Sequence, residues 1–186
     1  MKDSKLRDVL KEILSTGIYL LVVLLATYLL ITYVVQRTEV NGASMEPTLH
    51  DRDNLFVDKI TYRFNDPERF DVIVFPFHYQ EETFYIKRII GLPGETVQID
   101  ESGLIYIDGE VLAENFGKEV IKADKIGLAA EPIVLGADEY FVLGDNRNDS
   151  FDSRFAQVGN ITRDEIIGRA WLRIWTLKDF GFVKHD

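Results

Sequence analysis

The sequence predicts a mainly β protein hung on one N-terminal transmembrane helix: an antiparallel β-sheet or barrel-like domain that carries a small β insertion. Three observations predict it. Residues Ile13–Val35 contain no charged side chain. Beyond them the chain breaks into short β-branched and aromatic runs bounded by turn formers. Near residues 95–112, alternating apolar and polar residues are interrupted by two tight-turn sequences.

The uncharged run comes first. As a helix it is about 34 Å long at 1.5 Å per residue, enough for a hydrocarbon core of about 30 Å. It is apolar on every face, which disfavours a soluble core helix. It is also longer than the apolar region of a signal peptide, and QRTEV follows it in place of a small-x-small cleavage site. An uncleaved anchor is the better reading. Lys2, Lys5, Arg7 and Lys11 precede the run, and only Arg37 follows it before Arg52. The positive-inside rule then leaves residues 1–12 as a cytoplasmic tail, 13–35 as a single span in the cell membrane, and 36–186 outside the cytoplasm.

The exported part is long enough for a core of its own. LFVDKI (55–60), DVIVF (71–75) and TFYIKRII (83–90) read as strands. ETVQID, LIYID and GEVL form a meander, turned at Glu101-Ser102-Gly103 and again at Asp108-Gly109. It belongs to an inserted β subdomain of about 97–138. Residues 114–131 lack a period and read as a surface excursion. EYFVLGD (139–145) and IIGRAWLRIWTL (166–177) complete the β pattern, with a short turn at Thr162–Glu165 before the last strand.

Composition narrows the chemistry. The 186 residues hold 21 Lys+Arg against 31 Asp+Glu, a formal charge of −10. The first twelve residues sum to +1, leaving −11 for the rest. An acidic domain is a poor partner for a phosphate backbone, so no nucleic-acid role is expected. With no cysteine there is no disulfide, thiolate metal site or thiol nucleophile. The three histidines, His50, His78 and His185, are scattered without ligand spacing.

Three clusters carry the remaining chemistry. NGASMEPTLHDRD (41–53) places Ser44 in a loop punctuated by Gly and Pro, where a hydroxyl and neighbouring N–H groups can be exposed. FYIKRIIGLPGET (84–96) places Lys87 within an apolar strand, on the face of Tyr85 and Ile89, with Arg88 on the other face. A desolvated lysine there would have a lowered pKa and could act as a base. VLGDNRNDSFDSR (142–154) is dense in Asp, Asn, Ser and Arg, and reads either as a polar loop or as a hydrogen-bonded floor. A hydroxyl nucleophile needs a base, and with no suitable His, a buried Lys is the alternative.

Taken together, GASMEPTL, DNLFVDK, FDVIVF, YIKRIIGLPGE and GDNRNDSFDSR, in this order after a membrane helix, resemble the bacterial type I signal peptidase family. The resemblance is dense over 36–175, and the single span is similar to the Gram-positive branch. It implies a serine endopeptidase that removes signal peptides from exported preproteins after small residues at −3 and −1, without metal or cofactor. Ser44 matches the family's nucleophile and Lys87 its general base. Ser150 matches the serine that orients the lysine, and Asp145, Arg147, Asp152 and Arg154 match a supporting polar network. Val40, Met45, Leu49, Val74, Tyr85 and Ile86 match positions lining the substrate pockets. The Ser44 N–H would be one oxyanion donor. Gly42 stands where Gram-negative members carry a second hydroxyl donor.

Two other readings compete. A LexA-like self-cleaving Ser/Lys peptidase shares the pairing but should carry a DNA-binding helix-turn-helix where this chain has an apolar helix. A catalytically inactive, membrane-tethered substrate-binding relative should have lost Ser or Lys, and this chain keeps both.

Overall fold

The computed structural model describes residues 2–79 and 83–185. It opens with one long helix, α1 (Lys2–Tyr33). Within α1, Arg7–Leu30 is apolar and long enough to cross a membrane, and none of that window is buried against the rest of the protein. The helix stops two residues before the uncharged run does. Val35 is already the first residue of strand β1 (Val35–Glu39), paired with Asp58 of β2 (Asn54–Asp58). The β-branched pair Val34-Val35 favours extended backbone. The ladder with β2 decides the boundary.

The main sheet has eight strands and is antiparallel throughout. After β1 and β2 come β3 (Val72–Pro76) and β4 (Phe84–Gly91). The chain then leaves for a second sheet of four strands: β5 (Thr96–Ile99), β6 (Ile105–Ile107), β7 (Glu110–Val111) and β8 (Ile133–Val134), in the order β7-β6-β5-β8. It returns with β9 (Glu139–Leu143), β10 (Ile161–Thr162), β11 (Gly168–Trp175) and β12 (Gly181–Phe182). The order in the main sheet is β1-β2-β11-β3-β4-β9-β10, with β12 on the outer part of β11. β1 and β10 do not meet, so the barrel-like closure expected from the sequence does not form. β11 bulges after Ala170 and again after Arg173, which increases local twist while leaving the sheet open.

The alternation of β2 and β3 explains where the core lies. Leu55, Val57, Val72 and Val74 join Val40, Met45, Leu49, Ile86 and Ala170 in one buried cluster beneath the Ser44 loop. A second cluster fuses the two sheets through Ile90, Val97, Ile99, Phe141 and Leu143. It corrects one expectation. Residues 114–131 are not a surface excursion, because Ile121, Ile126 and Ala129 are buried in this cluster. Full burial of one such isoleucine contributes about 1.5–3 kcal/mol. The segment lacks a period because short 3₁₀ turns at Ala123–Lys125 and Gly127–Ala130, not a strand, bring those side chains inward. The turn expected before the last strand is a 3₁₀ turn at Arg163–Glu165, capped reciprocally by Thr162 and Glu165.

Candidate active site

Two adjacent residues of β4 organise the site. Lys87 pairs with Ile73 of β3, and Arg88 pairs with Val72 on one side and Leu143 of β9 on the other. Central strand position buries both, at 4% and 0% exposure. A lysine so buried in a sheet has a strong reason to be there.

The Lys87 Nζ lies 2.8 Å from Ser44 Oγ and donates to the Ile86 carbonyl at 3.0 Å. Its ammonium also sits 4.9 Å from the centre of the Tyr85 ring. The two acidic groups whose fields reach it are committed elsewhere, Asp145 to Arg88 and Asp152 to Arg154. Burial therefore dominates, and it pushes the Lys87 pKa down to about 8 against the opposing pull of Asp145 and Asp152. An amine at that value is substantially neutral in mildly alkaline water.

Ser44 is held by its backbone. Its carbonyl accepts from Asn146 N at 3.0 Å, and the Asn146 side-chain amide donates to the Ala43 carbonyl at 3.1 Å. The turn is closed by Glu46 N to the Ala43 carbonyl and by Gly42 N to Asp51. Gly144 lets the two loops touch: a β-carbon there would stand 2.2 Å from Ser150 Oγ and 2.5 Å from the Ser44 carbonyl oxygen. Any side chain at 144 would drive the Ser44 loop away from the polar loop.

Behind the pair lies a layer of paired charges. Arg88 donates to Asp145 through Nε (2.8 Å) and Nη2 (2.7 Å), and Thr48 Oγ1 donates to the same carboxylate at 2.6 Å. Arg154 makes the same bidentate contact with Asp152, which also accepts Gly144 N. Arg147 donates to the Gly144 carbonyl and to Glu114. The expected network of Asp145, Arg147, Asp152 and Arg154 is thus assembled. Arg88, Asn146 and Thr48 were passed over by the sequence reading and hold it together. Ser150 behaves differently from expectation. Its buried hydroxyl has no hydrogen-bond partner among the described residues, so the expected bond to Lys87 is not made.

A cleft of about 200 Å³ opens at Ser44, walled by Val40, Met45, Tyr85 and Ile86 together with Glu39, Asn41, Phe84 and Phe151. Four of the six expected pocket residues therefore line it. Leu49 and Val74 do not. Both are spent in the buried cluster that also holds Met45 and Ile86, and Leu49 borders a separate cavity with Pro47, Phe116 and Lys184.

A mainly β hydrolase of the serine peptidase class is what this fold defines, with a loop hydroxyl set against a buried strand amine. Residues 11–175 match the family described as signal peptidase, peptidase S26, and the chain belongs to that family. It is 37% identical to a probable signal peptidase I-2 of Synechocystis, covering 83% of this chain and 70% of that protein. It is 42% identical to a signal peptidase I of Leptolyngbya laminosa (81% and 73%) and 38% identical to one of Bacillus amyloliquefaciens (90% and 86%).

Proposed function

We propose that the chain is a membrane-anchored signal peptidase that cleaves exported preproteins with a Ser44–Lys87 dyad. The observation that carries this reading is the 2.8 Å contact between Ser44 Oγ and a desolvated Lys87 amine, both lining one cleft. In its neutral form Lys87 accepts the Ser44 hydroxyl proton. The oxygen attacks the scissile carbonyl carbon, and the developing oxyanion is met by the Ser44 N–H. Collapse breaks the C–N bond, and the Lys87 ammonium returns its proton to the leaving amine. A water, deprotonated by Lys87, then cleaves the acyl ester and restores Ser44.

The cleft reads the substrate. An extended peptide lying beside β4 presents alternate side chains to the same wall. The small apolar space between Val40, Met45 and Ile86 favours small residues at −1 and −3, the Ala-x-Ala pattern. α1 anchors the chain in the bilayer from residue 13 to its end at Tyr33, with 1–12 in the cytoplasm, 36–186 outside it and 97–138 as an inserted subdomain. Cleavage of an Ala-x-Ala preprotein by the detergent-solubilised full chain tests the reading, with Ser44→Ala as control. Cleavage that survives in Ser44→Ala would sink it. Protease added outside spheroplasts should digest residues 36–186; digestion confined to the first dozen residues would reverse the topology.

A further inference from the structure

We infer that His185 is a positioning residue of the active site: its imidazole supplies a missing rung between β3 and β11 and thereby seats Val183 and Lys184 directly behind the Ser44–Lys87 pair. The inference rests on that pair being the catalytic one.

β3 and β11 pair only through Val74↔Gly168 and Ile73↔Arg169. The next pair in that register would be Val72 with Ala170. That pair is not made: the β3–β11 ladder stops at Arg169, just before the irregularity in β11 between Ala170 and Leu172. Both polar groups left behind are buried among apolar residues, since Val72 and Ala170 are each 0% exposed. A buried N–H or carbonyl left without a partner loses its hydration and gains nothing in return. His185 satisfies both. Val72 N donates to its Nδ1 at 3.1 Å, and its Nε2 lies 2.9 Å from the Ala170 carbonyl. This fixes the tautomer: Nδ1 accepts and Nε2–H donates.

A bridging role requires a neutral ring, and the surroundings keep it neutral. Asp71, 3.5 Å from Nδ1, favours the charged form. Burial and the neighbouring cations Arg169 and Arg88 outweigh it and hold the pKa down to about 4. The bridge is therefore intact across the neutral and alkaline range.

The ring holds the two residues before it in place, and each touches the site's support. The Val183 side chain is buried in the cluster of Val40, Met45 and Ile86, which forms the cleft's rear wall. The Lys184 carbonyl accepts from Arg88 Nη1 at 3.0 Å. The other Arg88 donors go to the Phe70 carbonyl, Asp145 and Thr48. Lys184 thus satisfies the last N–H of the guanidinium that fixes Asp145. Asn146, the next residue, carries the Ser44 carbonyl. The path from ring to nucleophile is His185, Lys184, Arg88, Asp145, Asn146, Ser44, through a hydrogen bond or a peptide bond at each step.

Three variants of the full chain test this against an Ala-x-Ala preprotein. His185→Ala removes the bridge. His185→Phe keeps ring volume but neither accepts nor donates. His185→Gln offers an acceptor and a donor at nearly the same separation. We expect kcat to fall about tenfold in the Ala and Phe variants, with KM changed less than twofold, and to recover within about twofold in Gln. The pH midpoint of kcat, which reads Lys87 against Asp145, Asp152 and Arg154, should move down in Ala and Phe as Asp145 drifts away, and stay with the parent in Gln. If the Ala variant does not fold, Phe against Gln decides. Folded Ala or Phe variants with the parent's kcat and midpoint overturn the inference, as does a folded Gln variant no better than Phe. Ser44→Ala, run alongside, keeps the questions apart: if it still cleaves, the dyad reading fails, whatever His185 does.

Discussion

Two buried cations sit next to each other on β4, and the molecule treats them in opposite ways. Arg88 has a carboxylate, a hydroxyl and two carbonyls around its guanidinium, so every donor is used. Its ring-stacking contact with Phe116, at 3.8 Å, completes the enclosure. Lys87 is just as desolvated but receives no carboxylate of its own; its contacts are Ser44 Oγ, the Ile86 carbonyl and the face of Tyr85. A guanidinium cannot lose its proton in a protein, so burial is tolerable only with full pairing. An amine can, and withholding a counter-ion makes that the easier state. Strand alternation thus places a fully paired charge and a charge without a counter-ion one residue apart, and the proposed mechanism uses the second as its base.

The comparison breaks most visibly in turnover. Ser44→Ala and Lys87→Ala should each lose at least about 10⁴-fold in kcat, since nucleophile and base act as a unit and removing either removes the reaction. Binding of a substrate peptide to the cleft should persist. Retention of more than a few per cent of activity in either variant would remove that residue from the dyad.

Arg88 should fail in stability first. Arg88→Leu strands Asp145 as a buried, unpaired carboxylate, a loss on the order of 3–5 kcal/mol. Denaturant titration reads it directly. A melt within about 1 kcal/mol of the parent would mean that the paired layer is not the support described here.

Much of this contrast was legible in the sequence, and the limits have a physical cause. Lys87, Ser44 and the Asp145–Arg154 loop lie in local patterns whose residue types announce their chemistry. The strands β2, β3, β4, β9 and β11 follow from β-branched runs. β8, β10 and β12 do not, because two residues carry too little pattern, and β1 does not because VQRTE is mostly polar; all four are fixed by their partners. Leu49 and Val74 are expected in the pocket from the family resemblance, and a matched motif position says nothing about depth. Arg88 and His185 were passed over because their partners are distant: the Val72–His185 bond spans 113 positions. Contacts of that kind are made by the closed fold alone.

Ser150 sharpens the contrast on the catalytic side. Its buried hydroxyl has no partner among the described residues, so Ser150→Ala should not reduce stability and should raise it by up to about 1 kcal/mol. If the hydroxyl turns towards Lys87 during the reaction, kcat should still drop about tenfold, with KM unchanged. Equal kcat in parent and variant would reduce Ser150 to a packing residue.

The pH dependence of stability is the most discriminating test. Lys87→Met keeps the length of the side chain and removes the amine. Burial holds the folded pKa at about 8 while the unfolded chain returns to the ordinary value near 10.5. Between those values the unfolded chain binds more protons than the folded one, so stability rises with pH through that window. Below the folded pKa both states are charged, and the desolvation penalty, on the order of 3 kcal/mol, is present in full. The parent should therefore gain stability from pH 8 to pH 10.5, and the Met variant should lack that gain. At pH 7 the variant should melt at or above the parent, since the penalty it loses outweighs the bonds lost to Ser44 and the Ile86 carbonyl, although it no longer cleaves. Activity of the parent should rise along the same limb, with its midpoint near 8, as the amine becomes neutral. Thermal melts of the parent and Lys87→Met at pH 7, 8.5 and 10 decide between the two treatments of buried charge. A Met variant that melts far below the parent at pH 7 would show that Lys87 is held as a paired ammonium, like Arg88, and that the two sides of β4 do not differ after all.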